Sequence, residues 1–211
     1  MALSAELKRF MDSLACCTYN GAQHSDILVE ETDVLAKLRK VRLQVGVGDW
    51  FSFCPDKGRD EKSRMSALLT ADKGHDHHRA CDCVVVICHG TQLTVLYVDL
   101  KSSNPVGYAG QFKSTRQFVR YALGLSEEFH GSPLRLEREQ YVVLYGGAKP
   151  LPIPKRPTVP KFGTAGKTQP DKAFKREVPN DARVYLRELL GGFGGLRVVC
   201  GWCWRKSDEI G

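Results

Sequence analysis

The sequence predicts an α/β fold, and three observations carry that reading. A segment of helical spacing opens the chain, with Leu3, Leu7, Phe10 and Leu14 recurring every three to four residues. Two apolar runs, residues 81–88 and 93–101, are joined by a short polar turn and read as a strand pair. A helical-period stretch at residues 108–125 follows, and a further strand-like run occupies residues 140–145. With 211 residues, 42% hydrophobic and 26% charged, the chain suits one core with a sizeable insertion.

In chain order, residues 3–15 read as an amphipathic helix with Ser4 as its candidate cap. Asn20-Gly21 marks a turn. Residues 26–31 are expected to be extended, 33–40 helical and 41–45 strand-like. Gly46-Val47-Gly48 breaks this segment before a short strand at 49–54. Residues 55–73 are polar apart from an apolar interruption at 65–69, and read as a loop or short helix. Beyond the strand at 140–145, residues 149–179 are Pro-rich and nearly free of large apolar side chains. A helix is expected at 181–190, between Pro179-Asn180 and Gly191-Gly192, and a strand at 196–204. The resulting organisation is a core at 1–147, a basic Pro-rich loop or arm at 148–180, and a C-terminal helix and strand at 181–211 packing on the core.

A net charge of +7 and a pI near 9.0 suit a polyanionic partner, although a mildly basic surface alone would give the same balance. Glu6, Lys8, Arg9 and Asp12 interrupt the N-terminal segment, so it lacks the apolar region of a secretory signal. No run approaches the roughly 20 apolar residues of a membrane span. The eight cysteines are therefore expected as reduced thiols in a cytoplasmic protein with no membrane partner.

The chemistry concentrates in the strand pair. A loop at residues 89–92 pairs Cys88 with Leu93 and sets Asp82 opposite Asp99, with Lys101 two residues further along the same face. A two-residue turn would instead pair Asp82 with Tyr97, still on the same face. Two opposed carboxylates raise each other's pKa unless a cation lies between them. Mg²⁺ (or Mn²⁺), held by one or two carboxylates and several waters, meets that need, with Asp82 and Asp99 as ligands. Lys101 beside them can orient or deprotonate a water and offset charge on a phosphoryl transition state. The plain alternative is a strand-end ion pair between Asp99 and Lys101. On the following helix Lys113, Arg116, Gln117, Arg120 and Tyr121 share one face, without an acid between residues 107 and 126. Exposed helices ordinarily mix signs, so this face is expected to meet phosphate.

These residues together resemble the PD-(D/E)XK, or restriction-endonuclease-like, nuclease superfamily. The resemblance covers roughly residues 1–147 and implies a mixed central sheet flanked by helices, built from a helix, a three-stranded meander, a helix and a further strand. Asp82 matches the family's first acidic motif, without a preceding proline. Asp99 and Lys101 match its (D/E)xK pair. Gln117-Phe-Val-Arg-Tyr121 matches the Q-x3-Y motif of the RecB-like branch, and is preferred to Gln111, which falls on the apolar side of the wheel. That branch often adds an acid from the N-terminal region, for which Glu6, Glu30 and Glu31 are candidates. The resemblance implies a metal-dependent nuclease acting on nucleic acid, DNA before RNA, in restriction, repair or anti-phage defence. A helicase or ATPase partner and a homodimer are family-level expectations. The alternative is a non-catalytic nucleic-acid-binding subunit or scaffold.

Residues 149–176 hold eight Lys or Arg against the single acid Asp171, so Lys155, Arg156, Lys161 and Lys167 are expected to contact a nucleic acid backbone. Zinc is the competing chemistry. His75, His77, His78, Cys81 and Cys83 precede the strand pair, and Cys200-x2-Cys203 lies near the C-terminus. Against zinc, Cys200 and Cys203 fall in an apolar strand, where positions i and i+3 face apart. Cys81 and Cys83 flank Asp82 and are expected to point away from its site. Cys16-Cys17 reads as helix-end packing.

Overall fold

The structure is a computed structural model that describes residues 2–56, 77–147 and 168–190. It opens with α1 (Ala5–Asp12), capped by Ser4, whose Oγ accepts from the Leu7 N–H at 3.4 Å. Leu7 and Phe10 are buried, and Phe10 meets Phe51 edge-on at 5.7 Å. Strands β1 (Cys17–Asn20), β2 (Asp26–Glu30), β3 (Lys40–Gln44) and β4 (Trp50–Phe53) follow. Strand β5 (Cys83–His89) and β6 (Gln92–Lys101) form the expected hairpin, and α2 (Tyr108–His130) leads to β7 (Arg135–Gly147). The described chain ends with β8 (Phe174–Pro179), β9 (Ala182–Tyr185) and the short α3 (Leu186–Leu189).

Six strands form the central sheet in the order β1-β4-β5-β6-β7-β8. Strands β4, β5 and β6 are an antiparallel meander, and α2 then carries the chain over to β7, which runs parallel to β6. Strand β8 extends the sheet in parallel. A second sheet, β2-β3-β9, is antiparallel at its hairpin and parallel between β3 and β9. The protein is thus a mixed α/β fold with a central mixed sheet flanked by helices.

Both faces of that sheet are covered. Val84, Val86, Val95, Tyr97 and Val143 pack with Leu7 and Phe10 of α1 and Phe112 and Val119 of α2. On the other face Val85, Ile87, Leu96, Val98 and Leu144 pack with Ile27, Val41 and Leu43 of the small sheet and Leu186 and Leu189 of α3. Double burial explains why β5 and β6 read as continuous apolar runs rather than as alternating ones. It also makes a charged residue within them conspicuous.

The structure corrects several element expectations. Residues 33–39 are a loop, not a helix, and Lys40 begins β3. Asp33 Oδ1 accepts from the Leu35 N–H at 2.9 Å and Glu31 Oε1 from the Asp33 N–H at 3.0 Å, local bonds that compete with a helical ladder. Val34 and Leu35 are 76% and 86% exposed and only Leu38 of the segment's large apolar residues is buried, too little to hold a helix. Residues 181–190 are not one helix either. Asp181 turns the chain at φ 59°, Asn180 Oδ1 takes the N–H groups of Arg39 and Lys40, and Arg183-Val184-Tyr185 pairs beside β3. Only Leu186–Leu189 remain helical. The end of the expected basic arm, Phe174–Pro179, is an edge strand of the central sheet. Helix α2 runs past residue 125 to His130, where Gly131 at φ 59° takes the left-handed position that ends it. Residues 148–167 of the arm, the expected strand at 196–204 and most of residues 55–73 lie outside the described residues. Among the described residues, no helix is long and apolar enough to cross a membrane.

Candidate active site

The β5–β6 register is the one counted for a loop at residues 89–92, but the turn itself has two residues, for which an Asp82–Tyr97 pairing was expected, because His89 and Gln92 continue the ladder. Cys88 pairs with Leu93 and Cys83 with Val98, with Gly90-Thr91 as the turn, so one further step sets Asp82 opposite Asp99. Asp99 and Lys101 share the face of Val95 and Tyr97, the side that α2 covers. Asp82 lies just before β5, and its Oδ2 accepts from the Leu100 N–H at 2.5 Å, continuing the ladder with a side chain where the backbone pairing stops.

Asp99 is fully buried, and its Oδ2 lies 2.8 Å from Lys101 Nζ. Neither of its carboxylate oxygens receives a well-aligned hydrogen bond among the described residues. Burial pushes Asp99 up to about 6, against the pull of the Lys101 cation. Asp82 is driven well above the carboxylate range, first by burial and then by the charge of Asp99. A carboxylate pair of which Asp99 is fully buried and Asp82 partly so, answered among the described residues by one ammonium, is short of positive charge. That deficit, with oxygen-only donors, fits a hard divalent cation held by Asp82 and Asp99.

Glu31, at the end of β2, adds a third negative charge. It raises both Asp82 and Asp99, so of the three candidate acids it is the one the fold brings to the pair. Glu30 instead lies 3.5 Å from Lys40, and Glu6 acts on Cys88 at the far end of the strand pair. The loop after Glu31 is tied to the site by the Lys37 N–H, which donates to Ser102 Oγ at 2.7 Å. Among the described residues, no three His, Cys, Asp or Glu side chains gather closely enough to form a complete metal cage. What the described residues bring together is the Asp82–Asp99 pair, with Glu31 as a nearby acid.

The helix delivers a different glutamine from the expected one. Lys101 Nζ donates to Gln111 Oε1 at 2.9 Å, whereas Gln117 is exposed, six residues and about 240° further round the helix. Tyr121 is 65% exposed. Lys113, Gln117, Arg120 and Tyr121 do share an outer face, as expected, but no described contact joins them to Asp82, Asp99 or Lys101. The cationic face is also partly neutralised, because Arg120 pairs with Glu139 of β7 at 2.6 Å. Arg116 turns inward and is only partly exposed. The four arm residues Lys155, Arg156, Lys161 and Lys167 lie outside the described residues.

The cysteines separate. Cys83 packs on the small-sheet face and Cys81 on the α2 face, so Cys81 lies on the same side as Asp82, contrary to expectation. Both thiols are buried, and burial raises both. His75, Cys200 and Cys203 lie outside the described residues. Cys16 and Cys17 pack against the α1 side of the core, and Cys17 Sγ donates to Met11 O. Comparisons with protein-family models, with curated proteins and with solved structures found no match.

Proposed function

We propose that the chain is a metal-dependent nuclease that hydrolyses phosphodiester bonds, with DNA favoured over RNA, and that its core is of the restriction-endonuclease-like kind. The observation that carries this reading is the buried Asp99, opposed by Asp82 and joined by Lys101 on one strand face. The order of helix, antiparallel meander, helix and parallel strand supports it, being the order the resemblance implies.

When bound, Mg²⁺ or Mn²⁺ polarises a phosphoryl oxygen and makes a bound water more acidic. Asp82 and Asp99 would hold the ion, and Glu31 would add charge from the adjoining loop. Lys101 has three N–H donors, of which Asp99 and Gln111 occupy two, leaving one for water or a phosphate oxygen. Gln111 fixes the ammonium at the strand end, so it is a positioning residue. Gln117, Tyr121 and Lys113 on the outer helix face would contact the substrate further from the reacting atoms.

A second reading is a non-catalytic nucleic-acid-binding subunit. Its support is that Asp82 caps the β-ladder at Leu100 while Asp99 closes on Lys101, a purely structural use of the same residues. The two readings separate on a panel of single-stranded, duplex and branched DNA and RNA, incubated with Mg²⁺ or with EDTA. Cleavage that needs Mg²⁺ supports the nuclease, and binding without cleavage on every substrate supports the subunit.

A further inference from the structure

A second polar site lies away from the carboxylate pair. A cavity of about 600 Å³ opens between α2, β7 and the turn at residues 168–170, and neither Asp82, Asp99 nor Lys101 lines it. It exists because β8 pairs with β7 only from Val142 onward, leaving the preceding stretch of that strand edge uncovered by strand. Thr168 partly fills the gap, its Oγ1 accepting from the Tyr141 N–H at 2.8 Å. Tyr108 Oη, donating to Asp171 O at 3.2 Å, ties α2 to the same turn.

Two buried donors in the cavity wall are left unused. Tyr141 is 2% exposed and stacks on Tyr97 at 4.9 Å, yet its hydroxyl has no hydrogen-bond partner. Arg116 Nε is buried without a partner, and among the described residues Arg116 makes no ion pair. An unmet buried donor costs the fold on the order of 1–3 kcal/mol, so two in one cavity require an explanation. Burial and then Glu139 raise the Tyr141 hydroxyl, and Arg116 lies close enough to lower it, yet none of these groups makes a well-aligned hydrogen bond with it among the described residues. Glu139 is engaged by Arg120 at 2.6 Å and by Tyr97 Oη at 3.1 Å, and Glu137 sits exposed at the rim.

We infer that this cavity is a phosphate-binding site, in which Arg116 and Tyr141 donate to the oxygens of a phosphate group. A guanidinium and a phenol hydroxyl in a recessed, partly dry setting select an oxyanion, since both donate and the guanidinium carries positive charge. The cavity volume also admits the sugar and base of a mononucleotide. The phosphate could belong to a free nucleotide or to the terminus of a nucleic acid strand, and both present the same group to these donors.

The test is thermal unfolding and calorimetric titration of the full chain with orthophosphate, a nucleoside monophosphate, and oligonucleotides with and without a terminal phosphate. EDTA is present throughout to silence the carboxylate site. The expected result is saturable stabilisation by orthophosphate, absent with chloride at equal ionic strength. Stronger binding of the monophosphate points to a free nucleotide, and stronger binding of the phosphorylated oligonucleotide points to a strand end. Tyr141→Phe is expected to weaken phosphate binding about tenfold, the loss of one charge-assisted contact. Its unliganded Tm should stay level or rise, because the variant removes an unsatisfied buried hydroxyl. Arg116→Gln should abolish binding. No saturable effect with any of these ligands overturns the inference, and so does wild-type affinity in Tyr141→Phe.

Discussion

Burying a carboxylate at the end of a strand lowers stability unless something answers its charge, and among the described residues the cation beside Asp99 is Lys101. The sign of the pH effect follows. Asp99 sits at about 6 in the fold against an ordinary value of 3.8, so the folded state holds a proton that the unfolded chain releases between these values. Its contribution is fully present below the unfolded value and is lost as pH rises through about 6. In EDTA, Tm should therefore carry a downward component from pH 4 to 6, and Asp99→Asn should flatten it. At pH 8 the same variant should be more stable by roughly 1–2 kcal/mol, a Tm rise of about 2–8 °C, while losing cleavage. A catalytic loss caused by misfolding would lower Tm instead. The glutamines make a second residue-scale prediction. Gln111→Ala should cut kcat about tenfold with little change in KM, by releasing Lys101, whereas Gln117→Ala should leave kcat unchanged. The helical wheel hid this choice, because Gln111 lies at the edge of the apolar stripe, where a long side chain can reach back to a strand end.

Local elements were legible where one period and one face decided them. The α1 cap at Ser4, the shared face of Asp82, Asp99 and Lys101, and the outer positions of Lys113, Gln117, Arg120 and Tyr121 on α2 follow from spacing, while the turn between β5 and β6 and the inward Arg116 do not. The misread elements are those held by distant partners. Residues 33–40 have helical spacing, but Asp33 and Glu31 bind their own backbone and Lys37 is fastened to Ser102. Residues 182–185 become a strand because β3 offers an edge, a partner some 140 residues earlier in the chain. Gly147 is the point where these elements meet the sheet. It adopts φ 132°, and a Cβ there would come within 2.6 Å of the Lys37 backbone carbon and Cβ. Gly147→Ala should therefore destabilise the fold by roughly 2–4 kcal/mol, and should lower activity through the loop that carries Glu31. Equilibrium denaturation with a parallel activity measurement checks both effects. A Tm loss with full specific activity would place that loop outside the reaction.

At the scale of the whole molecule, the two sheets and three helices of the described residues serve to hold the end of β6 beside the end of β2 and the start of α2. Sequence alone located the Asp82, Asp99 and Lys101 face because one hairpin contains all three residues. It left Glu31 among three candidates, since only the stacking of the small sheet on the large one selects it. The positive character of the chain also reads differently in three dimensions. Arg120 is answered by Glu139, and Arg42 is paired with Asp26 at 2.7 Å, so these two arginines are held in internal pairs and do not add to a free cationic face. The cation and proton compete for the same carboxylates, which makes metal binding pH-dependent. Mg²⁺ should raise Tm more at pH 8 than at pH 5.5, and this difference should vanish in Asp99→Asn.

The central claim is that Asp99 and Lys101 form a phosphodiester-cleaving centre rather than a strand-end ion pair. Its most direct measurement is Mg²⁺-dependent cleavage of the best substrate on the panel by wild type, Asp99→Asn and Lys101→Met, each first shown to be folded by thermal unfolding. The expected result is cleavage by wild type, abolished by EDTA, and a rate at least about 10³-fold lower in both variants. Cleavage at the wild-type rate by a folded Asp99→Asn or Lys101→Met protein would contradict it.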